Sequence, residues 1–465
     1  MTRQRGAALL VVLIILLIVA GSSATFIWLM NQQQTAAGTR LRSRAALAVA
    51  EAGVHRALSA LESGAPDGQM PRRLWRPAAH SETMMSGVIE GRFTVSISDD
   101  PGGAIQITST GRVGGVTRRL RARVTLASPA LLAALYGTTV VHLERPPAAI
   151  VLLPYGAGIG DRPWIQIAVG RGIAFATADV SINDPAQTFE AAPGPADGLD
   201  AARGPTAPPR PSPIRLLLAR DASLTVGAEH YRVNVQQLRA MGVYVDGIVV
   251  HSQALPALPE VDRAYYQALA TANTANASLN EAAGRYSGND ALARKRDSLY
   301  EHVEFEQVMA YLRTGRQPAA LRGLVYLRGG LSLVEDQRLQ IVDGGLVAES
   351  TIYLDRGGTL EVTHSAATRT LPGIIILDDG ALVVTQQARL RVHGLVYVNR
   401  TIDLGVGARV DIVGAVLGND PEVSFRSYAA SVVIRYDPAV MGTPGLRVPD
   451  DSPVATWVAA WEELP

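Results

Sequence analysis

Residues 1–30 read MTRQRGAALLVVLIILLIVAGSSATFIWLM, a short polar segment followed by a long apolar one. No Asp, Glu, Lys or Arg occurs between Gly6 and Arg40. A helix needs roughly 20 apolar residues to cross a bilayer, and residues 7–30 supply them. Because Arg3 and Arg5 precede the apolar run, the positive-inside rule predicts a cytoplasmic N-terminus. The stretch therefore predicts a single membrane helix with the rest of the chain outside.

The same stretch has two other interpretations. A secretory signal would be cut near residues 21–24, and a plain anchor would not be cut. The apolar run continues past residue 24 to Met30, and the polar segment ends at Gly6, directly against the run. Both features favour a retained helix with a cut before Ala7.

The helix is predicted to continue beyond the membrane. No proline occurs from Asn31 to Glu62, and good helix formers dominate. An apolar stripe interrupted by one glutamate recurs at helical spacing: Leu47, Glu51, Val54, Leu58 and Leu61. Gly64 and Pro66 should end a helix of about 85 Å.

Four stretches carry a resemblance to a known family. The Gly6–Ala7 junction resembles the prepilin leader, and residues 50–58 (AEAGVHRAL) resemble the helix end of PilX-type minor pilins and of the K-type pseudopilin of type II secretion. Residues 107–119 and the ending YDPA at 436–439 are similar to the same minor-pilin group. One residue departs from the major pilins, which have a glutamate where this chain has Val11. That glutamate is also missing from the K-type pseudopilin and many PilX-type proteins.

The resemblance implies a location and a set of partners. Prepilin peptidase would cut after Gly6, and the protein would stand in the bacterial inner membrane with its C-terminal part in the periplasm. After assembly it could be at the pilus or cell surface. Its partners would be other minor pilins and the major pilin, through the 7–63 helix, and the inner-membrane assembly platform. No cofactor and no metal are implied.

Beyond the helix the pattern changes to short strands. Phe93, Val95 and Ile97 alternate with polar residues, and turns fall at 99–103 and at Gly114-Gly115. This predicts an antiparallel meander. Further on, a glycine followed by three mainly apolar residues recurs at positions 323, 345, 373, 394 and 414. A repeat of about 20 residues favours a right-handed parallel β-helix, with a β-sandwich as the alternative.

The predicted fold class is α+β, mainly β: a long N-terminal transmembrane helix, an antiparallel meander, then a parallel β-helix with a small helical insertion. The segments are a leader at 1–6, the helix at 7–64, the meander at 65–127, first solenoid coils with a Pro-rich loop at 128–255, a helical insertion at 256–316, β-helix repeats at 317–441 and a tail at 442–465.

Composition excludes several kinds of site. There is no cysteine, so thiolate metal sites, disulfides and a cysteine nucleophile are excluded. The 43 basic and 42 acidic side chains nearly balance, which leaves no global field for nucleic acid. The eight histidines have no metal-ligand spacing. Acidic turns at 99–100 and 378–380 could bind calcium, but turns between strands often carry such residues.

Two alternatives to a filament subunit stay open. β-Helices can bind or cleave polysaccharides. Cleavage needs paired carboxylates, and Asp343, Asp378 and Asp411 lie near predicted coil corners. A nucleic-acid contact could use three alternating arginines, Arg119, Arg121 and Arg123, but no aromatic residues are interleaved with them. The glycine-rich segment 156–160 lacks the βαβ context and lysine of a nucleotide loop. The chain is therefore expected to be a minor pilin and not an enzyme, with nucleic acid an unlikely ligand.

Overall fold

The computed structural model describes most of the chain in two compact units. Unit 1 comprises residues 1–126 and 456–465, and unit 2 comprises residues 127–455. The described residues are 2–63, 76–86, 89–99, 104–144, 149–154, 165–169, 172–175, 181–182, 214–218, 223–226, 229–231, 236, 238, 247–250, 255–273, 275, 319–335, 337–420, 422–449 and 454–464.

Unit 1 combines one long helix with one sheet. The helix is α1 (Thr2–Ser63), so the predicted leader residues 2–6 are helical too. Within the described residues, no helix is both long and apolar enough to cross a membrane. The sheet has the order β1-β2-β3-β4-β31. Its strands are β1 (His80–Ser86), β2 (Ile89–Asp99), β3 (Ile105–Val113), β4 (Val116–Ala127) and β31 (Ala455–Leu464).

The predicted antiparallel meander is confirmed. Strands β1 to β4 pair antiparallel in sequence order. Gly114 and Gly115 connect β3 to β4 with φ of 52° and 85°. A two-residue hairpin turn with positive φ at both positions matches the twist of the flanking strands, and glycine adopts it without a Cβ penalty.

The C-terminal segment 442–465 is more than the tail that the sequence analysis assigned. It contains β31, which adds a fifth strand to the unit 1 sheet beside β4. Because β4 ends at Ala127 and β31 begins at Ala455, all of unit 2 is inserted between two neighbouring strands of unit 1.

The helix packs on the sheet through small side chains, and the predicted leucine stripe is only partly correct. The fully buried helix residues are mostly alanines, together with Val54 and Leu61: Ala46, Ala50, Val54, Ala57, Ala60 and Leu61. Leu47 and Leu58 pack at the margin, and Glu51 is exposed. Small side chains are needed on this side of α1 because the backbones of α1 and β3 approach closely. A Cβ added to Gly111 of β3 would lie 2.5 Å from the Ala50 backbone nitrogen.

Unit 2 is a β-solenoid, as predicted, with about five turns between residues 319 and 428. Its parallel strands form three faces. In spatial order, face 1 contains β16 (Ala319–Arg322), β19 (Arg338–Val342), β22 (Thr359–Thr363), the first halves of β25 (Arg389–Val398) and β27 (Arg409–Gly418), β29 (Ser431–Tyr436), β7 (Ala149–Pro154) and β10 (Ser181–Ile182).

The other two faces follow the same spatial order. Face 2 contains β17 (Val325–Leu327), β20 (Leu346–Ala348), β23 (Ile374–Ile376), the second halves of β25 and β27, β5 (Ala133–Gly137), β8 (Ile165–Val169), β11 (Ile214–Leu218) and β14 (Gly247–Val250). Face 3 contains β18 (Leu331–Leu333), β21 (Ile352–Leu354), β24 (Leu382–Val384), β26 (Ile402–Leu404), β28 (Val423–Tyr428), β6 (Val140–Glu144), β9 (Gly172–Phe175) and β12 (Ser223–Val226), with β13 (Glu229–Tyr231) added antiparallel.

The coils do not stack in the order of the sequence. The coils of residues 133–250 stack on the last C-terminal coil, because β5 pairs with β27 and β6 pairs with β28. The chain thus enters the solenoid in its middle, coils to one end, crosses, and coils back from the other end. One coil combines strands from both parts of the chain: β29 of the C-terminal part lies on face 1, and β5 of the N-terminal part lies on face 2. The Tyr436 hydroxyl donates to the Leu131 carbonyl at 3.0 Å and closes this coil.

Short helices flank the entry and exit points. They are η1 (Pro129–Leu132) and η2 (Pro438–Gly442), and Asp437 caps η2 by accepting from the Ala439 amide at 3.0 Å. The YDPA segment therefore closes the solenoid where the chain leaves it.

The glycine repeat marks the corner between faces 1 and 2. A Cβ added to Gly414 would lie 2.6 Å from the Gly394 carbonyl carbon, and one added to Gly394 would lie 2.7 Å from the Gly373 amide nitrogen. Gly323, Gly394 and Gly414 also have positive φ. Each coil thus needs a glycine where it touches the coil below, which explains the period. The handedness of the coil stays a prediction.

The crossing segment between the two halves covers the outer side of face 2. Its described part contains β15 (Glu260–Val261), paired with β30 (Leu446–Arg447), and α2 (Arg263–Thr271). Beneath it one ladder of outward residues is buried: Tyr326, Val347, Ile375, Tyr397, Leu417 and Tyr136. The second helix predicted at 291–312 and the Pro-rich loop at 193–213 lie outside the described residues.

Candidate subunit-assembly surface

The described side chains of α1 before Ser43 do not pack on the unit 1 sheet. They lie at positions 16, 19–23 and 25–42, are exposed, and include large apolar groups. Phe26 is 62% exposed, Ile27 60% and Trp28 59%. A helix that is apolar on all sides is stable only when another apolar phase covers it. Residues 26–30 of α1 are apolar on every side of the helix and therefore form a surface for lipid or for other protein.

Hydrogen bonds fix the packed part of α1 to the sheet at both of its ends. Arg118 of β4 donates from Nε and Nη2 to Ser43 Oγ at 2.8 and 2.6 Å. Its Nη1 lies 3.1 Å from Glu463 Oε1 of β31. At the other end of the packed segment, Glu62 accepts from the Thr456 amide at 3.0 Å and from the Thr456 hydroxyl at 2.6 Å. Strand β31 thus fixes both ends of the packed part of the helix.

A third contact joins the helix to β1. Glu82 Oε1 accepts from His80 Nε2 at 2.8 Å and from Arg56 Nε at 3.0 Å. These hydrogen bonds, that of His80 first, hold the pKa of Glu82 below its usual value of 4.5. The carboxylate therefore stays ionised and linked to α1 under mildly acidic conditions.

A groove of about 800 Å³ follows one side of α1 above the sheet. It begins at Trp28, passes Thr35 and ends among Arg40, Arg44 and Arg118. The helix residues lining it are spaced by three and four, so they share one helix face. The groove offers an aromatic group at one end and positive charge at the other.

The residues predicted for processing lie on this helix. Gly6, Ala7 and Val11 belong to α1, and their side chains are outside the described set. The structure therefore does not test the cut after Gly6 or the consequence of valine at position 11.

The predicted arginine stripe lies on the open face of the sheet, and we call Arg119, Arg121 and Arg123 the basic strand. Arg119 and Arg123 are exposed, while Leu120 between them is buried toward α1. Arg121 Nη1 lies 3.4 Å from Glu462 Oε2 of β31. This acidic neighbour was not predicted, because residues 442–465 have no strand pattern that points to β4 as their partner. The basic strand is thus partly neutralised by the chain itself.

The three corner carboxylates are not brought together. Asp343 follows β19 and accepts from the Ser365 amide at 2.9 Å, and Asp378 follows β23 and pairs with Arg263. Asp411 lies within β27 and pairs with Arg435. Each aspartate therefore interacts with a different partner, and the three lie at different places on the solenoid. Of the acidic turns, Asp99 pairs with Arg76 and Asp379 with Arg400.

No group of three or more metal-ligating side chains occurs within the described parts of the chain. The glycine-rich segment 156–160 lies outside those parts.

The fold and this surface define a helix-on-sheet protein that carries an inserted β-solenoid. No protein-family model matches the chain, and no curated protein sequence matches it. Among solved structures it is similar to the competence-associated pilin ComZ from Thermus thermophilus, with 13% identity, a TM-score of 0.24, and coverage of 91% of this chain and 97% of that one. At that TM-score the likeness decides neither fold nor function, and both are taken from this chain's own residues.

Proposed function

We propose that the chain is a minor pilin of the PilX type. In this proposal residues 7–30 anchor it in the bacterial inner membrane and prepilin peptidase removes residues 1–6. The retained helix then joins other pilins in a type IV filament. Unit 2 is carried outside the membrane as the body of the subunit.

One observation carries the proposal. The apolar N-terminal part of α1 belongs to the same continuous helix as the part that is packed on the sheet, and its described large side chains are exposed. Contiguous exposed apolar surface of this extent marks contact with protein or membrane. A plain anchor would not need a rigid, sheet-bound continuation, whereas a subunit that stacks through its helix needs a fixed helix direction.

The groove beside α1 supports the same function. An apolar helix of a neighbouring subunit could place its side chains against Trp28, and an acidic group of that helix could approach Arg40 and Arg44. Among the described residues, these two arginines have no ion-pair partner within the chain. The partners proposed here are other minor pilins and the major pilin.

Position 11 supports a place at the filament tip. In pilins that carry it, the early glutamate neutralises the new α-amino group of a neighbour within the apolar core. A buried unpaired charge there is costly, so each added subunit needs such a partner. Val11 provides none, and a subunit with nothing above it needs none. We therefore place the chain at the tip or in initiation, in few copies per filament.

Processing gives the first test. Intact mass spectrometry of the membrane-extracted protein should show an N-terminus at Ala7, with a mass consistent with methylation. The Gly6→Ala variant is expected to keep residues 1–6, and Gly38→Ala, at an exposed helix position, is the control that should be processed normally. A mature N-terminus near residue 25 would mean a secretory signal and would refute the pilin assignment.

Position in the filament gives the second test. Immunogold labelling against unit 2 should mark filament ends only, and Val11→Glu should leave assembly largely unchanged. Labelling along the shaft would contradict the placement at the tip while leaving the pilin assignment intact.

A further inference from the structure

The outer side of face 1 carries more positive charge than its acids can neutralise. Two carboxylates point outward there in the described strands, and each is paired with an arginine of a neighbouring coil. Arg391 Nη1 lies 3.2 Å from Glu361 Oε1, and Arg435 pairs with Asp411. These two pairs use all the outward acids of the described face.

Arg322 of β16 also points outward. The pKa of the nearby Asp343 is lowered by hydrogen bonds from Ser365, and the charge of Arg322 adds to that effect. Three further arginines remain, which we call the arginine row: Arg338, Arg389 and Arg409. Each is the first residue of its strand, and each is exposed. The strand register aligns Arg338 with Thr359, Thr359 with Arg389, and Arg389 with Arg409. At about 4.8 Å between strands, the row extends about 14 Å across four coils. None of its members has an ion-pair partner in the described part of the chain.

The surroundings of the row contain paired charges and uncharged groups that can form hydrogen bonds. Thr359 lies within it, Ser431 continues it on the next coil, and Gln386 and Gln387 are exposed at the corner just before Arg389. Glu335, the nearest described acid before Arg338, is paired with Arg356 at 3.1 Å. The row is therefore a straight line of guanidinium groups among hydroxyl and amide groups.

This chemistry favours one class of ligand. Guanidinium groups recognise carboxylates in a planar, two-bond geometry, and hydroxyl and amide side chains suit sugar hydroxyls. Binding of single-stranded nucleic acid draws on aromatic stacking, and no Phe, Tyr or Trp points outward among the described residues of face 1. We propose that the arginine row binds an extended acidic polysaccharide lying across the coils.

The test uses the full-length protein in detergent micelles and two polymers of similar length, polygalacturonate and uncharged pullulan. Polygalacturonate should bind, with an affinity that falls as salt rises, and pullulan should not. The triple variant with all three arginines of the row replaced by glutamine should bind polygalacturonate about tenfold more weakly. Should that variant fail to fold, Arg389→Gln alone should still weaken binding measurably.

A matched variant separates this site from general charge attraction. Replacing the three arginines of the basic strand by glutamine removes the same charge from unit 1, and it should leave polygalacturonate binding unchanged. Equal losses in the two triple variants would overturn the proposal, as would tighter binding of duplex DNA than of polygalacturonate at the same ionic strength. None of these outcomes depends on filament assembly or on processing after Gly6.

Discussion

Two glycines of the same helix should respond in opposite ways to alanine. Gly53 lies on the packed side of α1, where an added Cβ would be 3.0 Å from Phe93 Cδ2 and closer still to Ser109 Oγ. Gly38 lies on the free part, with nothing within 4 Å. Alanine gains about 1 kcal/mol over glycine in a helix interior. At Gly53, overpacking costs about 1–3 kcal/mol against that gain.

We therefore expect Gly53→Ala to lower the free energy of unfolding of the helix-on-sheet unit by about 0–2 kcal/mol. Gly38→Ala should leave the stability of the sheet unchanged. Hydrogen exchange resolved by mass spectrometry suits the measurement, because two units need not unfold in one step. Peptides of β2 and β3 should lose protection only in Gly53→Ala, and peptides around residue 38 should gain protection in Gly38→Ala.

A compensating change sharpens the test. Ser109→Gly should restore part of the protection lost in Gly53→Ala, because it removes the atom nearest to the new methyl group. Faster exchange in β2 and β3 of Gly38→Ala, or slower exchange in β2 and β3 of Gly53→Ala, would show that the close packing of α1 on the sheet is wrong.

Three further predictions concern the solenoid. Gly414→Ala should destabilise unit 2 by about 3 kcal/mol, measured by urea unfolding, because its Cβ would overlap the backbone of Gly394. Arg369→Ala should lower stability by about 1–3 kcal/mol, since the buried carboxylate of Asp437 loses the two hydrogen bonds of 2.6 and 2.7 Å that it accepts from Arg369 and keeps that from the Ala439 amide. Burial lowers the pKa of His364 below its usual 6.5, so the stability of unit 2 should fall as pH drops below 6.5, and His364→Gln should reduce that dependence in thermal unfolding across pH 7 to 5.

Each of these predictions has a control or a contrary result. Arg400→Ala removes an exposed ion pair with Asp379 and should change stability by less than about 1 kcal/mol. For His364 the sign follows from its depressed folded pKa, which places the favourable contribution above the unfolded pKa. A wild-type stability that rises between pH 6.5 and 5, with the rise absent in His364→Gln, would contradict it.

Local signals allowed the fold class to be predicted. The glycine period at 323–414 is readable because each coil needs a residue without a side chain where it touches its neighbour, and that need repeats in every coil. The meander is readable because side chains alternate between a buried and an exposed face. Both patterns are set by residues close together in the chain.

Non-local pairing could not be predicted. Parallel coils present similar edges, so no local pattern says that β5 should join β27 and not β16. The same holds for β31, whose partner β4 lies more than 300 residues earlier. Because β31 was not predicted, its Glu462 beside Arg121 was not predicted either. The charge of the basic strand was therefore overestimated.

The entry of the chain into the middle of the solenoid means that its two outermost coils, which contain β14 and β16, each pair with only one neighbouring coil among the described strands. Coils could be gained or lost by insertion or deletion at either extremity without changing the pairing of β5 with β27 or of β7 with β29. Related chains with the same helix-and-sheet unit are therefore expected to differ in solenoid length, and shortened variants that remove whole outer coils should still be assembled.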